Sequence, residues 1–383
     1  MPQALQTGTL FFLGMLIGAS LFGRLADRYG RRNVLIWTVA ADAVFGLLSV
    51  FAPSFAVLLL FRFLTGVAVG GTLPVDYAMM AEFLPPKNRG RWLVILEGFW
   101  AVGTVAVALV AWALAVAGVA EAWRWIFLAT AAPAFVGFWL RVRLPESPMY
   151  LMNAGREAEA RAVVGKVLEA NGRPPLEPGV TLAHPGAPSG GGLFTPELRR
   201  RSTLILAVWF LVSLAYYGVF VWVPAKLAAE GFGFVRGYGF LVLVALAQLP
   251  GYALAAHGVE KWGRKPTLIG FLILSAAGCL MFTFAASPGM VAAALLIMSF
   301  ALLGTWGGLY AYTPELYPTG KRATGMGTAG AMARLGALLA PSALALLFAQ
   351  SFAGTIGFFA VLLLIGAVAT AFIDVETRRL ALA

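Results

Sequence analysis

Five ionisable side chains stand inside long apolar runs of this sequence: Asp42, Arg62, Asp76, Glu97 and Arg334. An arginine in such surroundings can hold an anion, and a carboxylate there can take up and release a proton. Each such charge costs about 2.5 to 3.5 kcal/mol at the centre of a membrane helix, so it marks a candidate site. Trp100, Tyr216, Tyr217, Phe220, Trp306 and Tyr310 add aromatic faces in the same setting, and Gln248 adds a lone amide. Aromatic faces beside a cation suit a small planar acid, although such residues also serve as packing or interface belts. Other chemistry is scarce. One cysteine, Cys279, and two histidines, His184 and His257, give no metal cluster of the usual ligand spacing. Neither HExxH nor GxSxG appears, so no enzyme, cofactor or metal is expected, and without a GxxxxGK[ST] run any work is expected to draw on an ion gradient.

The elements that must position these residues are membrane helices. Of 383 residues, 60% are apolar and 12% charged, against about 25% charged in soluble domains, and the mean hydropathy is +0.84. Apolar runs predict eleven helices: about 8–24, 33–51, 55–83, 91–118, 122–141, 203–226, 236–257, 266–286, 289–313, 323–349 and 353–373. The start, MPQALQTG, lacks the basic region of a cleaved secretory leader. Alternate connections sort sharply by charge. One set holds 23 of the 28 lysines and arginines, and the other holds only Arg124, Lys226 and Arg236. That bias predicts a cytoplasmic location for the first set and for the C-terminus. The net charge of +11 is therefore read as an orientation signal and not as a nucleic-acid surface.

GRLADRYGRR (23–32) and AHGVEKWGRK (256–265) share a D/E-x-x-G-R-[RK] core, placing Asp27 opposite Glu260, Gly30 opposite Gly263 and Arg31 opposite Arg264, 233 residues apart. EFLPPKNR (82–89) and ELYPTGKR (315–322) repeat E-x-x-P-x-x-x-R at the same offset. PES (145–147) and VET (375–377) give a weaker echo at 230. The chain reads as an internal duplication: residues 1–141 with five helices, a linker over 142–202 and residues 203–383 with six. Two helices precede the second charged connection and one precedes the first. The expectation is an all-α membrane protein with eleven helices of a twelve-helix design, the first being absent. Arg334 falls one helical turn from Glu97 after subtraction of the offset, so the pair is expected on similar faces of repeat-related helices, as an anion holder and a titrating acid or as a permanent ion pair. Asp42 and Asp76, at comparable depth, are alternative proton sites, because two adjacent acids do not easily both ionise. Gly66, Gly70 and Gly71 after Arg62 allow close helix contact. In the linker, GREAEARAVVGKVLEANG reads as an amphipathic helix with Ala162, Val163, Val167 and Leu168 on one side, followed by a flexible Pro/Gly-rich stretch.

GRLADRYGRR resembles a signature of the major facilitator superfamily. The Glu82/Arg89 and Glu315/Arg322 pairs and LPESPMYL resemble its sugar-porter and organic-ion branches. RFLTGVAVGGTLPVDYAMMAEFLPPKNRGR, LEGFWAVG and YTPELYPTGKRATGMG are similar to niacin-transporter-like and metabolite:proton symporters. The resemblance implies two pseudo-symmetric six-helix halves that rock about a midplane site. It also implies proton-coupled movement of a small organic solute, a plasma-membrane location, substrate and protons as the partners within the bilayer, and a monomer. Asp27, Arg28, Arg31, Glu260 and Arg264, with Glu82, Arg89, Glu315 and Arg322, would form a latch of exposed ion pairs, each worth about 0 to 1 kcal/mol. Glu97, Asp76 and Asp42 are the proton candidates, and Arg334, Trp306, Tyr310, Tyr216, Tyr217, Gln248 and Trp100 the substrate candidates. A sugar or organic-cation carrier, a drug efflux pump and a transport-inactive sensor are the alternatives.

Overall fold

The computed structural model describes residues 2–177, 179–182, 191–222, 237–348 and 352–382. His184, Lys226 and Arg236 lie outside the described residues, as does part of the Pro/Gly-rich stretch. Five long helices come first: α1 (Pro2–Tyr29), α2 (Arg31–Val50), α3 (Phe55–Phe83), α4 (Arg89–Val116) and α5 (Ala122–Arg143). Two short ones follow, α6 (Pro148–Asn153) and α7 (Glu157–Ala170). Six long ones complete the chain: α8 (Arg199–Tyr217), α9 (Tyr238–Lys261), α10 (Arg264–Thr283), α11 (Pro288–Tyr312), α12 (Thr319–Phe348) and α13 (Phe352–Ala371). Among the described residues there is no strand, and ten helices are long and apolar enough to cross a membrane. With α12, these are the eleven expected.

Local chemistry sets the ends. Ser54 and Ser287 accept the amides of Val57 and Met290 as N-caps, and Pro288 occupies the first turn of α11. GRLADRYGRR is expected as a short, tight loop between helices ending at 24 and starting at 33, and the connection is tighter still. α1 continues through Tyr29 and α2 starts at Arg31, so the connection is Gly30 alone at φ +101°. Gly263 makes the equivalent turn at φ +114° between α9 and α10. That backbone region is essentially reserved for glycine.

Close packing follows the small residues. A Cβ on Gly66 or Gly70 of α3 would lie 2.2 or 2.3 Å from the carbonyl oxygen of Phe11 or Met15 on α1, so the glycine run holds these two helices in backbone contact. α1 packs on α12 and α4 on α9, the two seams between the halves. α8 packs against α12 and α13, and 56% of its most apolar stretch is buried. In α4 and α5, the repeat counterparts of α12 and α13, only 6% is buried. Among the described residues, no helix stands where the repeat places a counterpart of α8.

The linker packs differently from expectation. Ala160 is fully buried and Val163 partly buried against Leu151, Met152 and Tyr150, whereas Ala162 and Val167 are exposed.

Candidate functional site: a pocket between the halves

Helical periodicity brings side chains from both halves to one small pocket. Glu97 and Trp100 come from α4 and Leu73 from α3; Tyr216 and Tyr217 come from α8, Leu303, Trp306 and Tyr310 from α11, and Arg334 from α12. Its open volume is about 30 Å³, room for one or two waters, and Trp100, 47% exposed, forms its margin. Glu97 is held by both halves. Tyr77 of α3 donates its hydroxyl to Oε2, and Tyr252 of α9 stands 3.5 Å from Oε1. Tyr77 stacks on Tyr310 at 4.2 Å between ring centroids, and Trp209 meets Trp306 and Tyr310 edge-on at 5.3 and 4.8 Å. Trp209 is fixed by its indole N–H, 2.9 Å from Thr313 Oγ1. Arg334 is buried among the tyrosines, with Tyr310 and Tyr217 as its polar neighbours. Among the described residues, no carboxylate lies within 4 Å of Arg334, so the permanent Glu97–Arg334 ion pair weighed from the sequence does not form.

Six of the seven substrate candidates thus line one pocket together with Glu97. Gln248 does not. It is buried on α9 one turn before Tyr252, and its carbonyl oxygen has no hydrogen-bond partner. The two other acids are elsewhere as well. Asp76 pairs with Arg141 of α5 at 2.5 Å. Asp42 faces Arg62, whose guanidinium lies 4.6 Å from the Phe11 ring and 4.9 Å from the Phe127 ring. Asp42 and Asp76 therefore do not share a proton with each other: similar depth along two helices did not mean similar faces. Sequence reasoning missed Tyr77, Tyr252 and Trp209. The available signal was spacing: Tyr77 follows Leu73 by four residues, and Trp209 precedes Tyr216 by seven.

A symmetric polar network closes the charged face below the pocket. Glu82 accepts Arg322 of α12 at 2.6 Å, Arg31 of α2 at 3.3 Å and the Ser147 hydroxyl. Its counterpart Glu315 accepts Arg264 at 2.9 Å, Arg89 of α4 at 3.5 Å and the Thr377 hydroxyl at 2.5 Å. Asp27 accepts the backbone amides of Ala323 and Thr324 at 3.3 and 2.7 Å and pairs with Arg31 at 3.0 Å. Glu260 likewise accepts the Arg91 amide at 3.0 Å and meets Arg264 at 3.4 Å. Glu146 accepts the amides of Arg31 and Arg32, and Glu376 those of Arg264 and Lys265. Burial, then the Glu146 charge, raises the Tyr150 phenol above its ordinary value, keeping it a neutral donor to the Arg28 carbonyl.

The network corrects three expectations. Glu82 pairs with Arg322 and Glu315 with Arg89, so the motif partners are exchanged between halves. The side chains of Glu82, Arg322, Arg264 and Glu315 are 0 to 1% exposed, so the surface-pair magnitude does not apply, and breaking such a buried pair costs about 3 to 5 kcal/mol. Arg28 is outside the latch: it is exposed and lies 5.3 Å from the Tyr29 ring.

A helical membrane bundle with a pocket between symmetry-related halves, sealed on one face by ties across the same seam, defines a carrier. A family model described as sugar (and other) transporter matches residues 4–383. The chain belongs to that family, and it is a multi-pass secondary transporter of the major facilitator superfamily, not an enzyme. It is 37% identical over 332 residues to the niacin transporter NiaP of Acinetobacter baylyi (strain ATCC 33305 / BD413 / ADP1), covering 86% of this chain and 75% of that one. To the protein named putative niacin/nicotinamide transporter NiaP of Bacillus subtilis (strain 168) it is 36% identical over 374 residues, covering 97% and 86%. Its fold matches the proton:xylose symporter XylE of E. coli with a TM-score of 0.79 at 19% identity, covering 97% and 86%.

Proposed function

We propose that this protein carries a small planar organic carboxylate, a niacin-like acid, by alternating access coupled to protons. The observation that supports this most is Arg334, a guanidinium in the pocket with tyrosine and tryptophan rings around it and no carboxylate within 4 Å among the described residues. An incoming carboxylate completes its coordination, and the pocket, about 30 Å³ in this closed state, widens as the halves rock so that a flat ring lies against Trp306, Tyr216 and Tyr310. The name of the Acinetobacter relative points to the same substrate class, and that of the Bacillus relative adds nicotinamide, which makes the uncharged ring the deciding competitor. Glu97 supplies the proton site. As a carboxylate it only accepts, and it takes hydroxyls from both halves; when protonated it becomes a donor on one oxygen and loosens one of those ties. Residues 1–141 and 203–383, joined by 142–202, rock as units about this point. The chain acts as a monomer in a plasma membrane, with the charged face and the C-terminus in the cytoplasm.

Uptake of labelled nicotinate into proteoliposomes tests the assignment. Nicotinate is expected to compete, while nicotinamide, the same ring without the charge, and xylose bind about a hundredfold less well, the worth of one charged hydrogen-bonding contact of about 2 to 3 kcal/mol. Equal competition by nicotinamide would contradict the carboxylate reading. Nicotinate binding without uptake would favour a transport-inactive sensor, a reading to which the exposed α4 and α5 faces lend support.

A further inference from the structure

The two seams between the halves are related by the repeat but are not alike. At the charged end of the α1/α12 seam, Gly23 and Gly327 face each other so closely that a Cβ on Gly23 would lie 2.5 Å from the Ala323 carbonyl oxygen and 3.1 Å from the Gly327 Cα. The equivalent positions in the α4/α9 seam, 233 residues away, are Ala256 and Val94. Beside Ala256 a cavity of about 580 Å³ opens between α4 and α9, within the range of about 300 to 1,000 Å³ of small-molecule sites.

The lining is strongly basic. Arg91, Lys261, Arg378 and Arg379 reach it, with His257 and Asn88 beside them and Glu260 as the single acid. Both oxygens of Glu260 are engaged, one by the Arg91 amide and the other by Arg264. Among the described residues, no carboxylate stands within 4 Å of any of the four cations, and the Arg378 Nε is buried without a hydrogen-bond partner. Arg379 holds a left-handed backbone at φ +62°, unusual for a residue with a side chain. Trp92 and Trp262, 46% and 49% exposed, stand at the ends of α4 and α9, at the level where tryptophans meet lipid headgroups. The ligand chemistry is a phosphate anion, and the membrane depth selects its source.

We propose that the cavity between α4, α9 and the C-terminal segment binds the phosphate headgroup of an anionic phospholipid, contacted by both halves. Basic pockets at the charged ends of membrane helices take such headgroups, each lysine or arginine contributing about fivefold in affinity. Native mass spectrometry of the full chain, released from mixed micelles of phosphatidylglycerol and phosphatidylcholine, tests this. Phosphatidylglycerol is expected to be retained in preference to phosphatidylcholine. K261Q and R378Q should each weaken retention about fivefold, and A253W, which fills the cavity from an exposed lining position, should abolish it while leaving the melting temperature unchanged. Equal retention of the two lipids, or undiminished retention in all three variants, overturns the proposal. Displacement of the lipid by equimolar inorganic phosphate or sn-glycerol 3-phosphate also overturns it, in favour of a soluble anion site.

Discussion

At the scale of single residues, the pocket separates two jobs by charge. Arg334 has five donors and, among the described residues, no carboxylate within 4 Å, with Glu97 acting on it only at longer range, so its Ala variant loses the anchor outright. Binding of nicotinate by R334A, read by isothermal titration calorimetry, should fall by about a hundredfold, and R334K should recover only part, because an ammonium cannot make the paired contacts of a guanidinium. Glu97 is expected to act on coupling and not on affinity. In E97Q, nicotinate exchange between the two sides of a proteoliposome should persist, while uphill uptake driven by a pH gradient should be lost; retained uphill uptake would move the proton to another group. Arg334 and Glu97 were legible in the sequence because charges in apolar runs are rare and the repeat offset aligned them. Tyr77 and Tyr252 were not, because a tyrosine in an apolar run is unremarkable until its helix is oriented. Asp76 shows the same limit from the other side: it neighbours Tyr77 in sequence but is turned about 100° from it around the helix, toward Arg141.

At the scale of elements, glycine decides where helices touch and where they turn. α3 was legible from end to end, Phe55–Phe83 in the structure against 55–83 in the sequence, because Ser54 caps it and an apolar run fills it. The helix ends beside the charged connection, 24 and 33 in the sequence against Tyr29 and Arg31 in the structure, were not legible because four arginines and an aspartate suppress the apolar signal that marks helices. What the sequence did carry was Gly30. Replacing it by alanine places a Cβ 2.3 Å from Glu146 Oε2 in a backbone region that costs about 1 to 3 kcal/mol for other residues, so G30A should lower the melting temperature. At the α1/α12 seam, G327A puts a Cβ 2.3 Å from the Ala19 carbonyl oxygen. The seam must part, at about 1 to 3 kcal/mol, and labelling of a cysteine placed at exposed Tyr29 should quicken as the closed face loosens. Unchanged labelling would mean that the close approach is not needed for closure.

At the scale of the whole molecule, the duplication explains both the shared pocket and the network that shuts one side of it. The repeat offset alone showed which residues correspond, yet not that they would exchange partners. That exchange is a property of two halves set face to face, and it ties them across the seams with two buried ion pairs, Glu82–Arg322 and Glu315–Arg89, and three carboxylate-to-amide contacts, Asp27 to Ala323 and Thr324 and Glu260 to Arg91. Removing one buried acceptor with E82Q leaves Arg322 and Arg31 without it, a loss of about 3 to 5 kcal/mol in the closed state, equivalent to more than about a hundredfold in the closed-to-open ratio. The distance between spin labels at Tyr29 on α1 and Trp262 just past the end of α9, both exposed and in opposite halves, reads that equilibrium directly. The wild-type chain should give one short distance, and E82Q a second, longer population that grows when nicotinate and a lower pH are supplied together. One unchanged distance in both proteins, under every condition of substrate and pH, would contradict alternating access about this pocket.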